Sequence, residues 1–462
     1  MPDAQSGDVG YMLVSTALVL FMVPGVGYFY SGMARDKNAL SLILISIVSL
    51  AIVSLQWFAI GFSLVFSPTA TNGFIGDGRY AFLQGLVGRH LATSSTLPAV
   101  VTCVYQLMFA AITPALVIGA IAERFNMIPM CAFILVWTTI VYDPIAYWAW
   151  GVNGWLSKFG ALDFAGGLAV HLSSGVSGLA LAQFCGKRRS SDEPHMPHSI
   201  SNVMLGTAML WFGWNGFNGG SEGSANARAA MTVLVTNLAA STGGLTWMLI
   251  NYIRDRRVSA VGFCSGVVAG LVAITPACGY VGPAASLAIS FAGAFVCNHS
   301  ARIKHKLGYD DTLDVFGIHG VGGAIGCLLT GIFADREIIS MDDGAEEKGG
   351  AVSGNPVLIV YQLVAIATVI CWSFLVTYLI AFLMAKAGLS LRASEEDEEL
   401  GVDHSQMGEY TMDVVGIRIS ASVERRSRLL LQSTSAQNVS ITTSPPLPPP
   451  LYPPKSMMLS VA

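Results

Sequence analysis

From residue 10 to about 388 the chain is a succession of long apolar runs separated by short breaks that carry its glycines, prolines and charges. About 20 mainly apolar residues are enough to cross a bilayer as a helix. The pattern predicts eleven such helices, at 10–33, 39–66, 99–122, 127–150, 165–186, 200–218, 228–253, 258–277, 281–299, 315–334 and 355–388. The first run comes after an acidic and polar start, Met1 to Asp8, and passes through Val23-Pro24-Gly25 with no small-residue cleavage site, so it reads as a retained helix.

Charge in the breaks sets the orientation. The loops on one side carry Arg35, Lys37, Arg124, Lys187, Arg188, Arg189, Arg254, Arg256, Arg257, Arg302, Lys304 and Lys306. Those on the other carry Arg79, Arg89, Lys158, Arg228, Arg336 and Lys348. Basic residues accumulate on the cytosolic side, which puts the N-terminus outside and the C-terminus inside. An odd number of spans suits two five-helix halves of inverted topology, about 10–186 and 200–334, with an extra helix after them at about 355–388. A weak internal echo fits: Leu162-Asp163-Phe164 precedes His171, and Leu313-Asp314-Val315 precedes His319. The transmembrane domain is thus expected over 1–388. Beyond it, Glu395-Glu396-Asp397-Glu398-Glu399 and the proline-rich stretch Pro445 to Pro454 predict a cytosolic tail over 389–462, partly disordered after about 415.

Composition excludes most other classes. Hydrophobic residues make up 53% of 462 and charged ones 12%, and the mean hydropathy is +0.59, a balance foreign to soluble domains. The 49 glycines suit close helix packing in lipid. A net charge of -4 with no basic, aromatic-interleaved patch excludes nucleic acid as a partner. The eight cysteines stand singly, without CxxC spacing, and indicate neither a disulfide framework nor a zinc site.

The chemistry lies in a few polar residues inside apolar runs. His171 and His319 are the histidines deep in predicted spans, and a histidine at that depth needs a cavity or a partner. A core histidine bonded to a carbonyl is the plainer reading of either alone. As a neutral pair they can share one hydrogen and leave a nitrogen each to a lumen, as donor or acceptor. A metal site is disfavoured because no third ligand has suitable spacing. Phe109, Trp148, Trp150 and Phe217 stand toward the outer halves of their spans, where ring faces can attract a desolvated cation or simply form an interfacial belt. Asp163 opens the fifth span and is expected to cap free backbone donors. Asp143, in Val141-Tyr142-Asp143-Pro144, falls inside the fourth span where a neutral residue is expected.

Four motifs then carry a resemblance: Asp163-Phe164-Ala165-Gly166-Gly167 with His171; Trp211-Phe212-Gly213-Trp214 with Phe217-Asn218-Gly219-Gly220-Ser221; Ala269-Gly270-Leu271-Val272 with Thr275-Pro276; and Asp314 to Gly320 with His319. With these motifs, the chain from Gly10 to about Met412 resembles the ammonium transporter (Amt/Mep/Rh) family, and its fungal Mep branch most. The resemblance implies an outer ammonium-recruitment site at Phe109, Trp150 and Ser221. It also implies a stacked gate of Phe109 and Phe217, and a conducting pair of His171 and His319. It further implies a homotrimer with one pore per subunit, a plasma-membrane location, and a regulatory tail pattern at Gly401, Asp403, Gly408, Glu409 and Tyr410. His171 stands where some fungal members carry an acidic residue, which places the chain with the double-histidine members.

The expected function is transport of ammonium: a bare ion is excluded from an apolar lumen, whereas ammonium can shed a proton and cross as ammonia. A neutral ammonia or carbon dioxide channel, and a transporter that also senses ammonium, are the alternatives. No nucleophile and base pair or cofactor fingerprint suggests an enzyme or a cofactor. Ser394, with Glu395, Glu396 and Asp397 directly after it, suits an acid-directed cytosolic kinase.

Overall fold

The computed structural model describes residues 6–91, 94–191, 196–341 and 349–409. Tyr410 and the proline-rich stretch lie outside the described residues. The described chain is a helical membrane protein. Its long helices, in order, are α1 (Ser6–Met33), α2 (39–66), α3 (Ala99–Ile121), α4 (127–150), α5 (Gly167–Cys185), α6 (Ile200–Gly219), α7 (Ala227–Asp255), α8 (Ala260–Ile274), α9 (Pro283–Leu307), α10 (Phe316–Phe333) and α11 (Val357–Lys386). All but α6 and α8 are long and apolar enough to cross a membrane, which makes nine candidate spans among the described residues. The remaining two differ for readable reasons. α8 has only 15 residues, nearly all of them buried against other helices. α6 spends its composition on Gly206, Gly213, Gly216 and Asn218.

Those glycines are what seat α6 against α1. A Cβ on Gly206 would stand 2.3 Å from the Phe29 nitrogen, and one on Gly213 would stand 2.6 Å from the Leu18 oxygen. Close backbone approach replaces a hydrophobic driving force that lipid does not supply. Around the bundle, Leu13, Leu55, Ile128, Phe212, Leu375 and Leu379 are exposed, as the surface of a protein solvated by acyl chains requires.

At one end of the bundle the segment 389–409 lies across the helix ends. Asn126 N–H donates to Leu391 O and Ala393 N–H to Arg124 O, each at 2.9 Å. Asp403 then caps the start of α2, accepting from Leu40 N–H at 2.9 Å and Ser41 N–H at 2.8 Å. Lys37 Nζ donates to the carbonyls of Glu398 and Glu399 at 3.0 and 2.6 Å, the negative end of a short helix, Glu395–Leu400. Beneath the tail, Arg188 bridges Glu123 and Asp310, each at 2.8 Å.

Candidate functional site

Two segments of matching design meet in the middle of the bundle. Asp163 precedes His171 by eight residues, and its carboxylate accepts from four successive backbone N–H groups, those of Gly166, Gly167, Leu168 and Ala169, at 2.6 to 3.2 Å. The helix it starts opens with a wide π turn, Gly167–Leu172, that carries His171. The second segment repeats this, with one correction to the sequence echo. The residue matching Asp163 is not Asp314 but Asp311, also eight residues before its histidine. It accepts from Val315 N–H at 3.1 Å and Phe316 N–H at 2.8 Å ahead of the π turn Phe316–Gly320. Asp314 instead sits at a φ of 59° and pairs with Lys304 at 2.5 Å.

The segments touch through glycine. A Cβ on Gly175 would lie 2.0 Å from Gly320 N, so backbones that close admit no side chain. That approach brings His171 Nδ1 to 3.2 Å from His319 Nδ1. Both rings are buried, and His171 also stacks on Trp214 with centroids 5.3 Å apart. Because two protonated Nδ1 atoms would repel at this distance, the pair holds one hydrogen between them, and each Nε2 is free for other duty. Among the described residues His171 Nε2 has no partner. Beside the rings is a cavity of about 20 Å³, room for about one water-sized molecule, walled by Val26, Ile112, Leu116, Val268 and Ile318 among other apolar groups.

Toward the end opposite the tail, Phe217 and Phe109 close this lumen. Their rings stack with centroids 4.2 Å apart. Beyond them opens a cavity of about 250 Å³ lined by Phe109, Trp150, Ser221, Tyr105, Gln106 and Thr102 together with Phe164 and Glu222. Trp150 stands edge-on to Phe109 at 6.0 Å and is held by its Nε1–H to Asp163 O at 2.9 Å. Ser221 donates its hydroxyl hydrogen to Phe217 O at 2.8 Å, which leaves its lone pairs to accept from a cation.

The predicted residues Phe109, Trp150, Ser221, Phe217, His171 and His319 therefore line two neighbouring cavities, and Asp163 stands behind them as the cap of the His171 segment. Trp148 lines neither: its Nε1–H goes to Phe74 O and its ring packs on Trp155 and Trp372. Ser394 lies on the tail, away from the path, where it caps the Glu395–Leu400 helix by accepting from Asp397 N–H at 3.1 Å. Sequence reasoning assigned no role to Tyr105, whose hydroxyl fixes the carbonyls of Gly216 and Phe217 at 2.9 and 2.8 Å. Thr102 Oγ1 and Gln106 Oε1, which no sequence motif singles out, are buried cavity oxygens without a partner among the described residues.

Comparison with known proteins decides the family. Residues 10–412 match the Ammonium Transporter Family. The chain belongs to the ammonium transporter family. Ammonium transporter 1 of Schizosaccharomyces pombe is 47% identical over 407 residues, 87% of this chain and 82% of that protein. Ammonium transporter MEP2 of Saccharomyces cerevisiae is 45% identical over 417 residues, 88% of this chain and 83% of that one. The crystal structure of S. cerevisiae Mep2 superposes with a TM-score of 0.84 at 43% identity, covering 90% of this chain and 93% of that chain. A solved structure titled Sensor Amt Protein gives 0.78 at 30% identity, over 87% and 98% of the two chains. The region matched to the family takes in both the histidine path and the described part of the tail.

Proposed function

We propose that this protein is an ammonium transporter of the plasma membrane. Phe109, Trp150 and Ser221 recruit ammonium: two rings offer π faces to a desolvated cation, worth about 2 kcal/mol or more where water is excluded, and the hydroxyl accepts a hydrogen. Ammonium gives up its proton there. Ammonia passes the Phe109–Phe217 gate and slides along the His171–His319 pair, which matches a solute that both donates and accepts. The proton crosses separately and rejoins beyond, so net ammonium import is driven by the membrane potential. Potassium has no proton to lose and meets the full desolvation cost.

The observation that carries this reading is the 3.2 Å contact between the two Nδ1 atoms in a lumen of about 20 Å³. We propose eleven spans with the N-terminus outside, three identical subunits each with its own pore, and a cytosolic tail that regulates them. The basic-residue bias and the helical α6 and α8 support the span count and orientation.

The deciding experiment is current on solid-supported membranes after an ammonium jump onto purified protein in liposomes. Wild type should give current, potassium none, and His171→Ala with His319→Ala none. Ammonia flux without current would move the assignment to a neutral gas channel.

For regulation, a kinase acting at Ser394 would add about -1.5 to -2 charges beside an acidic first turn. Glu398 of that helix contacts Arg189 N–H at 2.6 Å and Arg392 at 3.1 Å, so rearranging the helix loosens the tail. Ser394→Ala should lower uptake in nitrogen-starved cells, and unchanged uptake would remove Ser394 as a control point.

A further inference from the structure

Asp143 has no exposed surface, although it lies within a helix that crosses the apolar layer. Gln56 Nε2 donates to its Oδ2 at 2.7 Å and to Thr139 Oγ1 at 3.1 Å. The other half of each group is orphaned: among the described residues neither Asp143 Oδ1 nor Gln56 Oε1 has a hydrogen-bond partner, and both are buried. Two acceptors cannot satisfy each other, and a buried charge with an unpaired oxygen is costly in lipid. One proton removes both defects. A neutral carboxyl carries an O–H, which can donate from Oδ1 to Gln56 Oε1 and close a ring with the existing N–H to Oδ2 bond.

The surroundings are shaped for this pair. A Cβ on Gly61 would stand 2.4 Å from Gln56 Oε1, so the amide lies across a glycine of its own helix. Gln56 immediately precedes the π turn Trp57–Gly61 of α2, and Asp143 comes immediately after the π turn Thr138–Tyr142 of α4. Each wide turn holds one residue more than an α turn and so resets the rotation of everything after it. In α4 the portion so rotated is the eight-residue stretch Asp143–Trp150.

We infer that Asp143 is a neutral acid reciprocally paired with Gln56, and that this pair, by locking the two π turns together, is a positioning device for Trp150. The positioning half rests on the recruitment role proposed above for Trp150; the pairing half does not.

Infrared difference spectra of wild type against Asp143→Asn, in lipid vesicles at about pH 8, test the pairing, since an ordinary aspartate is fully ionised there. Wild type should show the carbonyl stretch of a protonated carboxyl that Asp143→Asn lacks. Gln56→Leu should shift it, as should Gly61→Ala, which crowds the Gln56 amide without removing it and serves if the first variant does not assemble. Absence of the band in wild type would overturn the pairing whether or not the protein carries ammonium current.

Transport tests the positioning. Asp143→Asn offers an N–H in place of the O–H and should keep methylammonium uptake within about two-fold, whereas Gln56→Leu should raise KM about five-fold with a smaller change in kcat. An unchanged KM in Gln56→Leu, or Asp143→Asn as defective as Asp143→Leu, would overturn it.

Discussion

The two histidine segments share a plan and differ in how firmly it is executed. In the first, one carboxylate satisfies four backbone donors at the mouth opposite the tail, with Trp150 tied to the same residue through its carbonyl. In the second, at the tail end, Asp311 satisfies two, and its neighbours Asp310 and Asp314 are committed to Arg188 and Lys304. A helix start leaves four N–H groups without internal partners, so the first segment is closed by a single side chain while the second relies on a charged surround. The mouth opposite the tail is thus framed by one carboxylate, and the tail end by separate ion pairs.

Removing each carboxylate in turn puts this asymmetry to its hardest test. Asp163→Ala strands four buried donors at once, each an unsatisfied group costing about 1–3 kcal/mol. It should abolish methylammonium uptake and drop the yield of assembled protein. Asp311→Ala should leave a folded protein with reduced uptake. Equal losses in uptake and in detergent melting temperature would show the two caps to be equivalent.

Much of this arrangement is readable in the sequence, and the parts that are not have physical causes. Spans appear as apolar runs because lipid imposes composition on any helix it touches. α8, legible as an apolar run, is only 15 residues long because other helices, not lipid, cover it, and α6, also legible as a run, is less apolar than a lipid-facing span because its glycines serve packing against α1. His171 and His319 stand out because polarity at depth is rare. Asp311 is hidden because Leu-Asp-Phe pairs by eye with Leu-Asp-Val, a resemblance of neighbours, where the physical constraint is the eight-residue distance from cap to histidine. Tyr105 gives no signal, since a tyrosine near a helix end reads as an interfacial belt residue, and its role depends on carbonyls more than a hundred residues away. Asp143 is visible as an anomaly, but its partner Gln56 lies on another helix.

A second test compares the contact between the two segments with the packing behind the second. Gly175, after the first histidine, lies against Gly320 backbone at 2.0 Å from where a Cβ would be, whereas a Cβ on Gly317, just before the second histidine, would meet Ala301 N at 3.3 Å. Overpacking costs about 1–3 kcal/mol where neighbours must shift, and backbone shifts least. Gly175→Ala should therefore separate the histidines and lose most uptake, while Gly317→Ala should retain at least about half. The reverse order would show that the histidine spacing does not depend on the Gly175–Gly320 contact.

The smallest expected effect concerns proton binding at the tail end. Adjacent carboxyls there are pushed in opposite directions. Burial pushes Asp310 up, but the bonds from Arg188 and the charge of Arg124 overcome it and hold the group down to about 2. Asp311 is raised from 3.8 to about 6, by burial first and by the nearby Asp314 charge, against the pull of Lys304 and two N–H bonds. Folded Asp311 thus keeps its proton up to about pH 6 while the unfolded chain releases it near 3.8, so its contribution is fully favourable below 3.8 and is lost as pH rises through that window. The loss is at most about 3 kcal/mol. Asp310 acts in the opposite sense but only between about 2 and 3.8, below the Asp311 window. Apparent melting temperature in detergent should accordingly carry a downward Asp311 component between about pH 4 and 6, absent in Asp311→Asn, which keeps one acceptor and never ionises. If the two proteins differ by a constant offset across that range, Asp311 is ionised throughout, and its burial does not set its protonation.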